Sequence, residues 1–157
     1  MLKKENEVKT TEATVEGFEI VTEKATELDK KQFFKMLAAA EEGLILTIER
    51  VGNIFNSKYD SNKVGCFIDY TFTNKAKKYE IGIYYNLGQQ EEEGKVKLNS
   101  NMNIFLILAV AIDLSEADEI KVTEEFIQKT LTGIKFKAEV GTSYNGGFLI
   151  EPTELLE

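Results

Sequence analysis

Two long stretches with a strict period of two, separated by only a few polar residues, constrain this 157-residue chain more than anything else in it. Cys66, Ile68, Tyr70 and Phe72 alternate with Phe67, Asp69 and Thr71. Tyr79, Ile81, Ile83 and Tyr85 alternate with Glu80, Gly82 and Tyr84. Successive side chains on a strand point to opposite faces, so each stretch has one apolar side and one mixed side. The residues are aromatic or β-branched, as strands prefer. Asn74-Lys75-Ala76-Lys77 supplies the turn. Centring it on Lys75 and Ala76 sets Phe67 opposite Tyr84, Asp69 opposite Gly82 and Thr71 opposite Glu80, all turned away from the apolar set.

The same period recurs on either side. Leu44, Leu46 and Ile48 alternate with Ile45, Thr47 and Glu49, and Ile134, Phe136, Ala138 and Val140 alternate with Lys135, Lys137 and Glu139. Phe148 and Ile150 form a last short strand. Asn145-Gly146 before it signals a tight hairpin, which needs positive φ at both central residues.

Three segments change to a helical period. Residues 27–42 carry the stripe Phe33, Phe34, Leu37 and Ala38, with Thr26 or Asp29 as N-cap and Gly43 at the end. Residues 101–112, capped by Asn99 or Ser100, are apolar almost all round, which predicts a buried helix. Thr123 caps a third, with Glu124 and Glu125 in its first turn and Gly133 at its end. Residues 1–17, rich in Thr, Glu and Lys, predict a mobile arm. Val15, Phe18, Ile20 and Val21 form a short strand or dock on the domain. Residues 18–151 then make one domain, and 152–157 a short acidic tail.

Three strands, helices, then two strands is the order of the oligonucleotide/oligosaccharide-binding (OB) barrel. The prediction is a β-rich α+β fold: a five-stranded OB-type barrel with helices between strands three and four and an N-terminal helix. The apolar helix would plug one barrel end. The alternative is an open β-sheet with helices on one face.

Composition narrows function. The chain has no histidine and a single cysteine, Cys66. Ser-His and Cys-His pairs are excluded, as are disulfides within the chain and cysteine metal clusters. No phosphate-cradling glycine loop is visible, and the carboxylates fall in runs that suit a solvated surface. The expectation is a binding protein rather than an enzyme, with no cofactor and no metal. Lack of a disulfide framework points to the cytoplasm. The most apolar run, residues 104–112, falls short of the roughly 20 residues that cross a bilayer, so no membrane partner is expected. A net charge of −8 opposes purely electrostatic nucleic-acid binding, yet residues 43–88 carry +2 and residues 133–148 carry +1.

A resemblance extends this reading over residues 43–154. Its features are the opening strand Gly43-Leu44-Ile45-Leu46-Thr47-Ile48-Glu49-Arg50-Val51, the strand pair after an Asn/Ser/Lys loop, and the apolar helix. Most specific is the ending, Leu131-Thr132-Gly133-Ile134-Lys135-Phe136-Lys137-Ala138-Glu139-Val140-Gly141 followed by Tyr144-Asn145-Gly146. These resemble a family of small phage-encoded single-stranded-DNA-binding proteins of the OB-fold type, found in replication and recombination cassettes. Low basic content and the N-terminal arm are where the chain departs from that family.

OB barrels bind on the face of strands two and three and with the loops joining strands one–two and four–five. Here the first loop, residues 52–64, carries Phe55, Lys58, Tyr59 and Lys63. Phe67 and Tyr84 form an outward aromatic pair beside Gly82, flat enough for bases to stack on. Lys75, Lys77 and Lys78 at the turn, and Lys135 and Lys137 on strand four, are candidates for following phosphates. Tyr144 sits at the tip of the last hairpin. Each has a plain structural alternative: loop aromatics tucked onto the fold, an aromatic pair under the N-terminal helix or a second subunit, lysines that serve solubility. The predicted function is sequence-tolerant single-stranded DNA binding, with a phage or host replication or recombination protein as possible partner and a homo-oligomer allowed. The alternative is an acidic protein–protein interaction module that binds no DNA.

Overall fold

The computed structural model describes residues 9–15, 18–58, 62–92, 94–143 and 146–156. Its elements in chain order are β1 (Lys9–Val15), β2 (Phe18–Glu23), β3 (Thr26–Glu27), α1 (Lys30–Ala39), β4 (Leu44–Val51), β5 (Phe55–Asn56), β6 (Val64–Asn74), β7 (Lys77–Gly88), β8 (Gln90–Glu92), β9 (Lys95–Asn99), α2 (Asn103–Ala111), β10 (Glu119–Thr123), α3 (Glu124–Leu131), β11 (Lys135–Thr142) and β12 (Phe148–Leu156). The fold is β-rich α+β.

The β6–β7 hairpin takes the register that its turn demands. Asn74 pairs with Lys77, and Phe67 with Tyr84. Lys75 and Ala76 both have positive φ, 53° and 67°, the conformation of a two-residue hairpin turn. Around it the main sheet runs β12-β11-β4-β6-β7-β3, with β5 added to β6. Counted along the chain, its five long strands lie in the order fifth, fourth, first, second, third.

This sheet stays open, which corrects the expected five-stranded barrel. The outer edge of β7 is taken by β3, which pairs parallel to it through Thr26↔Tyr79 and Glu27↔Glu80. At the far edge, β12 carries Pro152, which has no backbone N–H to offer another strand. The chain leaving β7 turns into a separate three-stranded sheet, β10-β9-β8. What forms is the alternative of an open sheet with helices against its apolar face. Phe33, Phe34 and Leu37 of α1, Ile104, Phe105, Ile107 and Leu108 of α2, and Ile127 and Leu131 of α3 share one core with Cys66, Ile68, Tyr70 and Phe72.

Several local expectations hold. Asp29 caps α1 in a capping box with Gln32, and Gly43 follows at φ 79°. Thr123 caps α3, accepting from the Phe126 N–H at 3.1 Å. Others change. The cap of α2 is Met102, with no side-chain bond, because Asn99 Oδ1 accepts instead from the Asn101 N–H. Leu106 of α2 is exposed, so that helix is buried on one side only. The segment expected as a mobile arm contains β1, paired antiparallel with β2. The segment expected as an acidic tail continues β12, where Glu154 pairs with Lys137 and Leu156 with Lys135. The period of two in β9 and β10, whose Val96, Leu98 and Val122 enter the core, was not among the predicted strands.

Candidate nucleic-acid interface

Outward residues of β4, β6 and β7 form the face opposite the helices. Phe67 and Tyr84 project from it as directly paired neighbours, with ring centroids 5.6 Å apart at 66°. Phe55 joins them. Its two-residue strand adds to β6 through Phe55↔Gly65 and Asn56↔Val64. The Phe55 ring stacks on Phe67 at 5.8 Å and 10°, and lies 6.0 Å from Tyr84. All three rings are exposed, by 40 %, 43 % and 40 % for Phe55, Phe67 and Tyr84. The patch therefore lies outside the core.

Glycine makes room for it. The Tyr84 ring lies across Gly65 so closely that a Cβ there would meet the ring and its hydroxyl. Gly82, opposite Asp69, leaves the neighbouring row low beside Phe67.

The first loop is held from below by α3. The Ile54 N–H donates to Glu124 Oε2 at 2.6 Å, and Gln128 Nε2 reaches Asn53 Oδ1 at 3.1 Å and the Val51 carbonyl at 3.3 Å. The Gly52 N–H donates to the Phe67 carbonyl at 2.8 Å. These contacts fix the approach to Phe55.

The candidate lysines do not gather at the rings. Lys58 and Lys63 are exposed on the loop that carries Phe55, whose Ser57 N–H donates to the Lys63 carbonyl. Lys75 occupies the turn, and Lys77 lies over the Tyr79 ring at 5.6 Å. Lys78, opposite Thr73, lines a shallow depression with Lys135, Ile45, Thr47 and Glu49. Lys137 pairs with Ile45 at that same end. At about 3.3 Å per residue, Thr73 is roughly 20 Å from Phe67 along β6. Tyr59 and Tyr144 lie outside the described residues.

Between the two ends runs an acidic band. Asp69 is paired to Arg50, with Nε and Oδ2 3.1 Å apart, and Glu49 accepts from the Thr71 hydroxyl at 2.7 Å. Glu80 faces Thr71. Among the described residues, no continuous positive strip joins rings and lysines. Arg50 escaped the sequence pattern because strict alternation turns it inward. A bulge between Ile48 and Arg50 brings both Glu49 and Arg50 to the outer face.

No protein-family model, curated protein or solved structure matches this chain. The chemistry must therefore be read from the side chains themselves. Cys66 is buried, and burial, reinforced by the charge of Glu124, pushes its thiol up to about 11. It is no nucleophile at neutral pH. Tyr70 and Tyr85 are buried with their hydroxyls 2.7 Å apart, and burial holds both well above the usual phenol range. Among the described residues, no three His, Cys, Asp or Glu side chains gather to hold a metal, and no helix is long and apolar enough to cross a membrane.

Proposed function

We propose that the protein binds single-stranded DNA in a sequence-tolerant way, in support of phage or mobile-element replication or recombination. The observation that carries this reading is the exposed aromatic triad Phe55, Phe67 and Tyr84, set on the outer face of a hairpin and framed by glycines. Every base has a flat π-face, so such a triad holds bases without choosing among sequences, at roughly 1–3 kcal/mol per stacked base. The Phe55–Phe67 centroid spacing of 5.8 Å is too small to admit a base between the rings, since two contacts of about 3.5 Å are needed. Bases therefore lie on the triad. Lys58 and Lys63, on the loop of Phe55, are the cations best placed for phosphates. Residues 43–154 resemble phage single-strand-binding proteins in sequence pattern, which points the same way, although the open sheet departs from that family's barrel.

The test is fluorescence anisotropy of a labelled oligothymidine at two salt concentrations, with wild type, Phe67→Ala and Tyr84→Ala. The expected result is binding that weakens mildly with salt and falls about tenfold or more in either variant, near 1.4 kcal/mol. Absence of binding at low salt by the folded protein overturns the reading. The acidic band of Glu49, Asp69 and Glu80 then favours a protein partner instead.

A further inference from the structure

Phe67 and Tyr84 stand on long paired strands, but Phe55 does not. Its strand β5 has two residues, and so short a pairing does not hold a strand by itself. What seats it comes from α3, 70 residues further along the chain. Glu124 and Gln128 lie one turn apart on that helix, so both side chains leave it on the same side. Glu124 Oε2 accepts from the Ile54 N–H at 2.6 Å. Gln128 Nε2 reaches the Val51 carbonyl, the Gly52 carbonyl and Asn53 Oδ1 at 3.3, 3.4 and 3.1 Å. Val51, Gly52, Asn53 and Ile54, the run that leads into Phe55, are thereby all tied to one side of one helix.

The helix is fixed in turn. Ile127 and Leu131 are buried in the core, and Thr123 caps the first turn. The Glu124 side chain sits at the helix N-terminus, where a negative charge is favoured, and the residue is half-buried. The Cys66 thiol, one residue before Phe67, feels its charge, which sets the carboxylate beneath the platform rather than out in solvent. A short bond from an N–H to a carboxylate is among the stronger kinds of hydrogen bond.

We propose that Glu124 and Gln128 are positioning residues of the nucleic-acid site, which hold Phe55 against Phe67 and so turn a two-ring surface into a three-ring one. This rests on the triad as a single-stranded-DNA platform. Neither side chain needs to touch a base. They fix Phe55 before a strand arrives, so binding does not have to order the loop. The coupling is reciprocal: bases stacked on a seated Phe55 strengthen the hold of α3 on the loop.

The experiment measures oligothymidine affinity for Glu124→Ala against Glu124→Gln, each with Phe55 present and in the Phe55→Ala background. Glu124→Gln keeps an oxygen for the Ile54 N–H. Both variants lack the charge, so any repulsion of phosphates cancels between them. Phe55→Ala alone is expected to weaken wild-type binding about fivefold or more, the low end for one stacked base. With Phe55 present, Glu124→Ala should fall about as far below Glu124→Gln. Without Phe55 the two should bind alike, within about twofold, because a residue that acts through Phe55 has nothing left to act on. Gln128→Ala, which changes no charge, is compared with wild type in the same two backgrounds and decides the question should Glu124→Ala not fold. A gap below about twofold with Phe55 present, or an equal gap without it, overturns the positioning role and leaves the triad standing. Wild-type affinity in Phe55→Ala overturns it as well, since no third ring then needs seating. Failure of wild type to bind overturns both this proposal and the platform.

Discussion

Replacing Tyr70 with phenylalanine removes one oxygen from the centre of the core, and its cost depends on what that oxygen leaves behind. Tyr70 and Tyr85 are buried, and their hydroxyls meet at 2.7 Å, an ordinary O–H···O length. Each is the other's partner, so Tyr70→Phe strands the Tyr85 hydroxyl and Tyr85→Phe strands that of Tyr70. An orphaned buried hydroxyl costs about 1–3 kcal/mol. Either single variant should therefore lose about 2 kcal/mol, a drop of roughly 4–8 °C in Tm for a chain of this size. Tyr70→Phe/Tyr85→Phe removes both polar groups together and should lose no more than about 1 kcal/mol. The coupling between the sites is then at least about 3 kcal/mol. Urea unfolding of all four proteins closes the cycle. A double variant whose loss equals the sum of the two singles would refute the reasoning, because each hydroxyl would then have a partner of its own.

Three further outcomes follow from named contacts. Cys66 is raised from 9.0 to about 11 by burial, so its contribution to stability is complete below pH 9 and is lost as pH climbs towards 11. The loss is about 2–3 kcal/mol, with Tyr70 and Tyr85 adding to it above pH 10; a urea midpoint that stays level from pH 8 to 10.5 contradicts this. Gly65→Ala places a methyl group against the Tyr84 ring and should displace it. Oligothymidine affinity is expected to fall as far as in Tyr84→Ala while the fold, followed by circular dichroism, persists; unchanged affinity would separate the Tyr84 position from binding. Ala76→Gly relieves a left-handed alanine in the β6–β7 turn and should raise stability by about 1 kcal/mol in thermal unfolding, with a loss counting against the turn assignment.

The hairpin at the heart of the site was legible because its information is local. Alternation fixes the faces, the turn fixes the register, and together they place Phe67 beside Tyr84. Legibility failed where geometry departs from alternation or where distant segments meet. The bulge before Arg50 reverses which side that residue occupies, and no single-strand pattern announces it. Gln128 and Glu124 sit on a correctly anticipated helix, but their reach to the first loop is a tertiary fact. The barrel prediction failed because two residues, Thr26 and Glu27, occupy an edge, and two paired residues are too few to give a strand pattern. The acidic tail expected from residue 152 turned out to be strand, because on an edge strand the missing N–H of Pro152 leaves nothing unsatisfied, so β12 runs through it.

The supports beneath the first loop have a consequence for the order in which the molecule assembles. The Tyr70–Tyr85 contact closes 15 residues, whereas Ile54–Glu124 closes 70 and Gln128–Gly52 closes 76. On loop-closure entropy alone the longer links cost roughly 1.4 kcal/mol more. The aromatic hairpin is therefore expected to acquire amide protection first, with Ile54 protected only as α3 docks. Pulse-labelled hydrogen exchange during refolding would show the two phases, and simultaneous protection would refute the order. Phe67 and Tyr84 would then exist as a pair before Phe55 is seated, so the third ring arrives late in folding.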